Sequence, residues 1–161
     1  MSDSHRLSRI ELDERSLAGA SADIEHERKI AVYDLLQENS FVPNAPAETR
    51  GEGPFVLYMS TLEGRLIFDV RREDETEIGQ FHMSVTPLRR TIKDYFLLCE
   101  SYYDAIRNAA PENIETIDMA RRAMHNEGSE ILTERLKDKI TIDFNTGRRL
   151  FTLICSFHMR G

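Results

Sequence analysis

The sequence predicts an α+β fold in which a small, mostly antiparallel β-sheet packs against α-helices. Two observations support this prediction. Three short segments in which apolar and polar residues alternate follow one another over residues 55–85, as in a β-meander. Two longer segments then carry apolar residues at helical spacing. With 161 residues, the chain has the length of one α+β domain, which we take to span residues 1–161.

The first 54 residues predict an arm, a helix and a loop. Residues 1–22 are interpreted as an N-terminal arm, in which weak alternation over residues 6–12 predicts a short edge strand. A helix should follow, capped by Ser21 or Asp23 and ended by Asn39. Its apolar face consists of Ile24, Ala31 and Leu35, with Val32 and Leu36 beside them. Residues 42–54 contain three prolines and two glycines and are predicted to form a loop.

The predicted meander begins with a hairpin whose register can be specified. Glu63-Gly64 has the composition of a two-residue turn, with glycine supplying a positive φ. This turn pairs Met59 with Phe68, Leu57 with Val70, Tyr58 with Asp69, and Val56 with Arg71. One face of the hairpin is then wholly apolar, and a slip of one residue would destroy that agreement. Residues 78–85 should return as the third strand.

Two helices are predicted after the meander, and they are expected to cover one face of the sheet. Thr86-Pro87 offers a hydroxyl cap followed by a proline in the first turn. The apolar stripe of this helix comprises Leu88, Ile92, Tyr95, Cys99, Tyr102 and Ile106. Pro111 should begin the next helix, which Gly128-Ser129 either bends or divides into two short helices.

The C-terminal region is predicted as a strand followed by a segment with two possible structures. Residues 139–144 alternate and are expected to add a strand to the meander. The tail is either a second hairpin strand that turns at Thr146-Gly147 or a helix capped by Asn145. The pattern favours the helix, but so short an apolar run does not separate the two structures.

Charge and composition exclude several classes of function. The net charge of −7 disfavours a protein that binds nucleic acid phosphates independently of sequence. No apolar run has the length of a membrane span, and the polar start of the chain does not resemble a signal peptide, so we predict a cytoplasmic protein. The two cysteines, Cys99 and Cys155, lie in apolar segments and are interpreted as buried side chains. They are too few for a four-cysteine zinc site.

The chain repeats the tripeptide Phe-His-Met, at residues 81–83 and 157–159. A shared metal site would require His82 and His158 to converge with at least one further ligand. Neither histidine has a carboxylate or cysteine at metal-ligand spacing apart from Cys155. We therefore interpret the repeat as coincidence and predict neither a metal site nor a cofactor.

Three segments of the chain resemble a known family. They are residues 25–28 (EHER) leading into residues 33–36 (YDLL), residues 121–128 (RRAMHNEG) and residues 148–155 (RRLFTLIC). Together they resemble an uncharacterised bacterial protein family, and the likeness spans most of the chain. The resemblance implies a single-domain bacterial cytoplasmic protein and supplies no catalytic residues.

The candidate binding residues are mostly basic. Of the 21 basic residues 17 are arginine, and eight of these form the pairs Arg71-Arg72, Arg89-Arg90, Arg121-Arg122 and Arg148-Arg149. Converging pairs could bind phosphate or carboxylate groups bidentately, whereas isolated pairs would be ordinary surface charges. The candidate ligand-binding residues are Arg121, Arg122, His125 and Glu127, with Arg148 and Arg149 brought near by the fold. The alternative is a solvated helix face with local salt bridges.

Two other polar groups are better explained by structure than by function. Glu25, His26 and Glu27 do not share a helical face, and acids in a first turn are explained by the helix dipole. Tyr95, Tyr102 and Tyr103 could form an aromatic wall for a ligand with Phe96, but such residues more often fill the seam between helix and sheet, so packing is the favoured interpretation.

No common catalytic or nucleotide-binding motif is present, and three functional hypotheses follow in order. The first is a non-catalytic interaction or regulatory domain, expected to be a homodimer or to bind a protein partner. The alternative is an enzyme or sensor that binds a small anionic molecule through the arginine, histidine and glutamate cluster. RNA binding through the arginine pairs comes third. Whether the protein is an enzyme is left open.

Overall fold

The computed structural model describes residues 4–13, 15, 22–108 and 111–158 and has the predicted α+β fold. The strands are β1 (Leu7–Leu12), β2 (Phe41–Pro43), β3 (Phe55–Leu62), β4 (Arg65–Arg72), β5 (Glu77–Ser84) and β6 (Ile140–Ile142). The helices are α1 (Ala22–Gln37), α2 (Ala47–Arg50), α3 (Arg89–Arg107), α4 (Pro111–Leu136) and α5 (Phe144–His158). None of these helices is both long enough and apolar enough to cross a membrane.

The hairpin of β3 and β4 has the register that the sequence predicts. Leu57 lies opposite Val70 and Met59 lies opposite Phe68, and these four side chains are buried. Glu63 and Gly64 form the turn with φ values of 51° and 77°, the positive angles that a tight hairpin turn requires. Strand β5 pairs antiparallel with β4, which completes the predicted meander.

The fourth strand of the main sheet differs from the predicted one. The sheet order is β1-β3-β4-β5, so the N-terminal strand takes an edge position, parallel to β3. Strand β6 forms where the sequence predicts a strand, but it pairs with β2 in a separate two-stranded sheet. The prediction that it joins the meander is therefore wrong. Alternation within β6 indicates a strand without specifying its partner, and residues 42–43 of β2 lie in the segment predicted as a loop.

Residues 42–54 and 86–88 also differ locally from the prediction. The predicted loop contains the end of β2 and the single helical turn α2. Thr86–Leu88 forms a 3₁₀ turn that precedes α3, and the Thr86 side chain does not cap the helix. Asn39 follows α1 as predicted and ties it to the sheet. Its side chain accepts from Leu7 N (2.7 Å) and donates to Leu7 O (3.1 Å) and Leu35 O (2.8 Å).

The C-terminal segment is helix α5, in agreement with the favoured alternative. Its cap is Asp143, whose Oδ1 accepts a hydrogen bond from Thr146 N at 2.9 Å. The prediction of Asn145 as cap is wrong by two residues, because Asn145 lies inside the helix. The buried residues of α5 are Thr146, Gly147, Leu150, Phe151, Leu153, Ile154, Cys155, Ser156 and Phe157. Buried residues from α1, α3, α4, α5 and the main sheet form one core. The prediction that α3 and α4 alone cover the sheet is therefore wrong.

Helix α4 continues through Gly128-Ser129 as one helix of 26 residues. The glycine serves packing, since a Cβ there would lie 2.3 Å from the Phe151 ring of α5. A Cβ at Gly147 would likewise lie 2.7 Å from Ser129 Oγ. The two helices run antiparallel, because later residues of α4 contact earlier residues of α5. Small residues therefore bring the backbones of α4 and α5 close together.

We expect Gly128→Ala to destabilise the protein by about 1–3 kcal/mol through overpacking, although alanine normally favours a helix by about 1 kcal/mol. Urea unfolding of the variant and the wild type measures the difference. Phe151→Leu should reduce the cost of the alanine, because it removes the ring that the Cβ meets, and a double-mutant cycle reports this coupling. A Gly128→Ala protein more stable than wild type would contradict the packing account.

Candidate functional site

A cleft of about 320 Å³ lies between α1, α4 and α5, with one residue of α3 in its wall. This volume is at the lower end of the range of about 300–1,000 Å³ that is typical of ligand pockets. The cleft is lined by Glu27, Ile30, Ala31, Asp34, Tyr95, Arg121, Arg122, His125, Asn145, Arg148, Arg149 and Thr152. It combines apolar, acidic and basic side chains in one concave surface.

Helical periodicity explains which residues face the cleft. The α1 residues lie at positions 27, 30, 31 and 34, and the α5 residues lie at 145, 148, 149 and 152. Each set has the spacing i, i+3, i+4, i+7 that places side chains on one helix face. In α5 this is a polar stripe on a helix whose other residues are mostly buried. The polar stripe is therefore left to line a cleft.

Five of the six candidate ligand-binding residues lie around this cleft. Arg121, Arg122 and His125 come from α4, and Arg148 and Arg149 come from α5. The sixth, Glu127, is exposed and does not line the cleft, since it lies on another face of α4. Two of the four arginine pairs thus converge.

The other two arginine pairs lie elsewhere. Arg71 binds Asp69 at 2.9 Å and Glu75 at 3.3 Å, and Arg72 donates to the carbonyl of Thr49 at 2.8 Å. Arg89 and Arg90 are exposed near the start of α3. Among the residues that the structure describes, the arginine pairs therefore form no continuous basic surface that would favour RNA binding.

Stacked rings form the apolar side of the cleft. The His125 ring stacks on Tyr95, with centroids 5.3 Å apart and an angle of 28° between the ring planes. Phe151 packs edge-on against both rings, at 5.7 Å from Tyr95 and 5.6 Å from His125. Burial raises the pKa of Tyr95, so its hydroxyl stays neutral. These contacts hold His125 in a fixed orientation.

His125 is connected to the backbone of α5 through Thr152. Its Nε2 lies 2.6 Å from Thr152 Oγ1, which donates to the Arg148 carbonyl at 3.3 Å. Burial, together with the charges of Arg148 and Arg121, lowers the pKa of His125 to about 4. The imidazole is therefore neutral at pH 7.

Arg121 is fully engaged within the protein. It binds Glu27 of α1 at 3.1 Å and Asp118 of its own helix at 2.9 Å, and its guanidinium lies 4.1 Å from the Tyr102 ring centroid. Burial raises the pKa of Glu27. This effect is larger than the lowering of the pKa by the hydrogen bond from Tyr103 and by the charge of Arg121. Arg121 therefore joins α1 to α4 and supports the wall of the cleft.

Arg148 and Arg149 differ from Arg121 in having no partner within the described residues. Arg148 is partly buried, and its Nε is fully buried without a hydrogen-bond partner. Two other buried side-chain atoms lack partners, Arg28 Nη1 and Thr133 Oγ1, but neither residue lines the cleft. Arg122 is 71% exposed at the rim and binds Asp118 at 3.0 Å. The unpaired positive charge of the cleft therefore lies on α5.

The repeated histidines do not form a site. His82 is exposed on the outer face of β5, whereas Nδ1 of His158 lies 3.0 Å from the Ile154 carbonyl in α5. Within the described ranges, no three His, Cys, Asp or Glu side chains are placed to bind one metal ion. A larger cavity of about 700 Å³ near the end of α5 is lined by His158 and by the exposed cations Arg89 and Lys93. None of its described lining residues has a buried polar atom without a partner.

Sequence reasoning missed the acidic and neutral part of the site. It explained Glu27 by the helix dipole, favoured packing for Tyr95, gave Asn145 only the role of a helix cap, and gave no role to Asp34 or Thr152. The available signal was the i, i+3, i+4, i+7 spacing on α1 and α5. That spacing identifies a face of each helix, but it does not reveal that the two faces meet.

Comparison with known proteins gives a family and no activity. The family model described as "Uncharacterised protein family (UPF0262)" matches residues 4–160. A UPF0262 protein of Xanthobacter autotrophicus is 53% identical over 158 residues, which cover 98% of this chain and 94% of the relative. One of Azorhizobium caulinodans is 54% identical over 158 residues, covering 98% and 96%. No solved structure matches the chain significantly.

The lowered pKa of His125 makes stability depend on pH. Because the folded pKa is about 4 and the reference value is 6.5, the full stability is present above pH 6.5 and is lost as the pH falls through about 4. We expect this group to account for a loss of up to about 3 kcal/mol. His125→Gln should lose less stability than wild type between pH 7 and pH 4 in urea unfolding. Parallel pH profiles for the two proteins would contradict the assignment.

Proposed function

Since the chain belongs to the uncharacterised protein family UPF0262, we propose a function from the cleft itself: the protein binds a small molecule that carries a phosphate or carboxylate group. Family membership confirms the resemblance stated from the sequence. The proposal places the anionic group at Arg148 and Arg149 of α5, with Arg122 at the rim. It takes up the alternative hypothesis of the sequence analysis, a sensor that binds a small anionic molecule, in place of the interaction or regulatory domain that was ranked first.

The buried, unpartnered Nε of Arg148 carries the proposal. Leaving a buried donor unsatisfied costs about 1–3 kcal/mol, and more when the group is charged. This Nε is not exposed to the cleft, but it marks the Arg148 guanidinium as a charge without an internal partner, and a guanidinium that lines a cleft binds phosphate or carboxylate groups bidentately. A ligand would therefore pair a charge that the free protein leaves without a partner.

The charges around the cleft support an anionic ligand. Four arginines line it against two carboxylates, Glu27 and Asp34, while the whole chain carries a net charge of −7. The neutral His125 adds no positive charge at pH 7, and its ring supplies an apolar surface next to the basic residues. This local excess of positive charge on an acidic protein favours binding of an anion from solution.

The geometry supports binding more directly than catalysis. The two groups suited to proton transfer, His125 and Glu27, are both held by internal partners, Thr152 and Arg121. A general base needs access to the proton that it removes. We therefore propose a sensor or carrier of a small anion, located in the cytoplasm.

A second candidate, assembly with another copy or a protein partner, rests on exposed apolar side chains. Tyr33 of α1 is 65% exposed, Met119 of α4 is 66% exposed, and Ile30 at the cleft is 47% exposed. Light scattering at micromolar concentrations tests the homodimer. A dimer mass at all concentrations supports this candidate, and a monomer mass throughout contradicts it.

We expect inorganic phosphate, glycerol phosphate or citrate to raise the melting temperature of the wild-type protein. Ligand at 100 times its Kd stabilises the folded state by about 2.7 kcal/mol, which corresponds to a rise of about 5–10 °C for a chain of this size. Arg148→Met should abolish the rise. Without ligand it should unfold at the wild-type temperature or above, because it keeps the apolar stem and removes the unpartnered donor.

The matched control is Arg90→Met, because the Arg90 side chain is 95% exposed and lies outside the cleft. It should retain the full response to the anions. An Arg148→Met protein that is stabilised by the anions as strongly as wild type would overturn the proposed site, and so would a wild-type protein that responds to none of them.

A further inference from the structure

One carboxylate of the cleft has no internal role. Asp34 of α1 is partly buried and lines the cleft, yet it forms no hydrogen bond or ion pair with any residue that the structure describes. Glu27 lies two turns earlier on the same helix face and is bound by Arg121. The two acids of the α1 wall thus differ, since the first supports the structure and the second is free.

The free acid faces the same cavity as the free bases. Asp34 on α1 and Arg148 and Arg149 on α5 line one cleft, but no nitrogen of either arginine lies within 4.0 Å of the Asp34 carboxylate. Opposite charges on packed helices would gain energy by pairing directly. Here a cavity of about 320 Å³ adjoins all three side chains and keeps room for a molecule.

We propose that the ligand is a small zwitterion whose protonated amine binds Asp34 while its phosphate or carboxylate group binds Arg148. This inference rests on the proposed function and specifies the class of ligand. A protonated amine donates a charge-assisted hydrogen bond to the carboxylate, so both unpaired charges of the cleft gain a partner from one molecule. The class includes amino acids and amino-alcohol phosphates.

The carboxylate wall also disfavours ligands that carry only negative charge. Without an amine, the bound molecule would leave Asp34 unpaired and close to a second negative group, which is unfavourable in a partly buried site. Discrimination by such a carboxylate is a form of specificity based on repulsion of the wrong ligand. Asp34 would thus weaken the binding of anions without an amine and not abolish it, so the arginines still accept such anions at higher concentration.

Two matched pairs of compounds test the inference by isothermal titration calorimetry. Phosphoethanolamine is compared with ethylene glycol monophosphate, and β-alanine is compared with 3-hydroxypropionate. In each pair a hydroxyl group replaces the amine, and the hydroxyl compound has the larger net negative charge. If net attraction to the basic cleft were the only effect, the hydroxyl compound would bind more tightly. Tighter binding of the amine compound therefore indicates that the Asp34 carboxylate binds the amine.

We expect the wild-type protein to bind at least one amine compound about tenfold more tightly than its hydroxyl partner, the effect of one charge-assisted hydrogen bond. Asp34→Asn should remove this preference and keep binding of the hydroxyl compound. Arg148→Met should bind neither the amine compound nor the hydroxyl compound. The matched control Asp138→Asn, an exposed residue outside the cleft, should retain the preference.

The outcomes separate the two proposals. Equal binding of both members of each pair by wild type, or an unchanged preference in Asp34→Asn, overturns the zwitterion while anion binding stands. Loss of the preference in Asp34→Asn, together with its retention in Asp138→Asn, supports the zwitterion. If wild type binds none of the four compounds, or Arg148→Met binds them as wild type does, the anion site and the zwitterion both fail. Thermal unfolding of each variant without ligand verifies that it is folded.

Discussion

The close approach of α4 and α5 at two glycines is the constraint on which the cleft depends. A Cβ at Gly128 would lie 2.3 Å from Phe151, and one at Gly147 would lie 2.7 Å from Ser129 Oγ. This contact brings together two helix faces that are far apart in the chain. The basic residues of α4 precede Gly128 by one to two turns, and Arg148 directly follows Gly147. The same packing that stabilises the core therefore sets where the arginines meet.

The arginines of the cleft divide into structural and unpaired groups. Arg121 holds two carboxylates and an aromatic ring, and it joins α1 to α4. Arg148 has a buried nitrogen without a partner, and Asp34 has no partner among the described residues. A buried donor without a partner costs free energy in the free protein, and both of these charged side chains line the same cleft. The cleft thus combines a rigid supporting network with a few charges available to a ligand.

The sequence predicted features that depend on neighbouring residues and missed those that depend on distant ones. The β3–β4 register followed from a local turn and from the alternation on both strands, and the structure confirms it. The helix at the C-terminus followed from its apolar spacing, whereas its cap is Asp143, not Asn145. The partner of β6 was wrong because alternation specifies a strand and not its neighbour. Convergence of the arginine pairs was only a hypothesis for the same reason, and helical spacing places Asp34 on one face of α1 without showing what that face meets.

The central claim is that the Arg148 guanidinium is a binding group for an anion. Proton–nitrogen NMR of the arginine side chains tests it directly, because each Nε–H gives its own resonance. During titration with inorganic phosphate, the account predicts a saturable shift of the Arg148 Nε–H and a much smaller shift of the exposed Arg90 Nε–H. An unchanged Arg148 resonance, or shifts that grow with the exposure of each arginine and do not saturate, would contradict it.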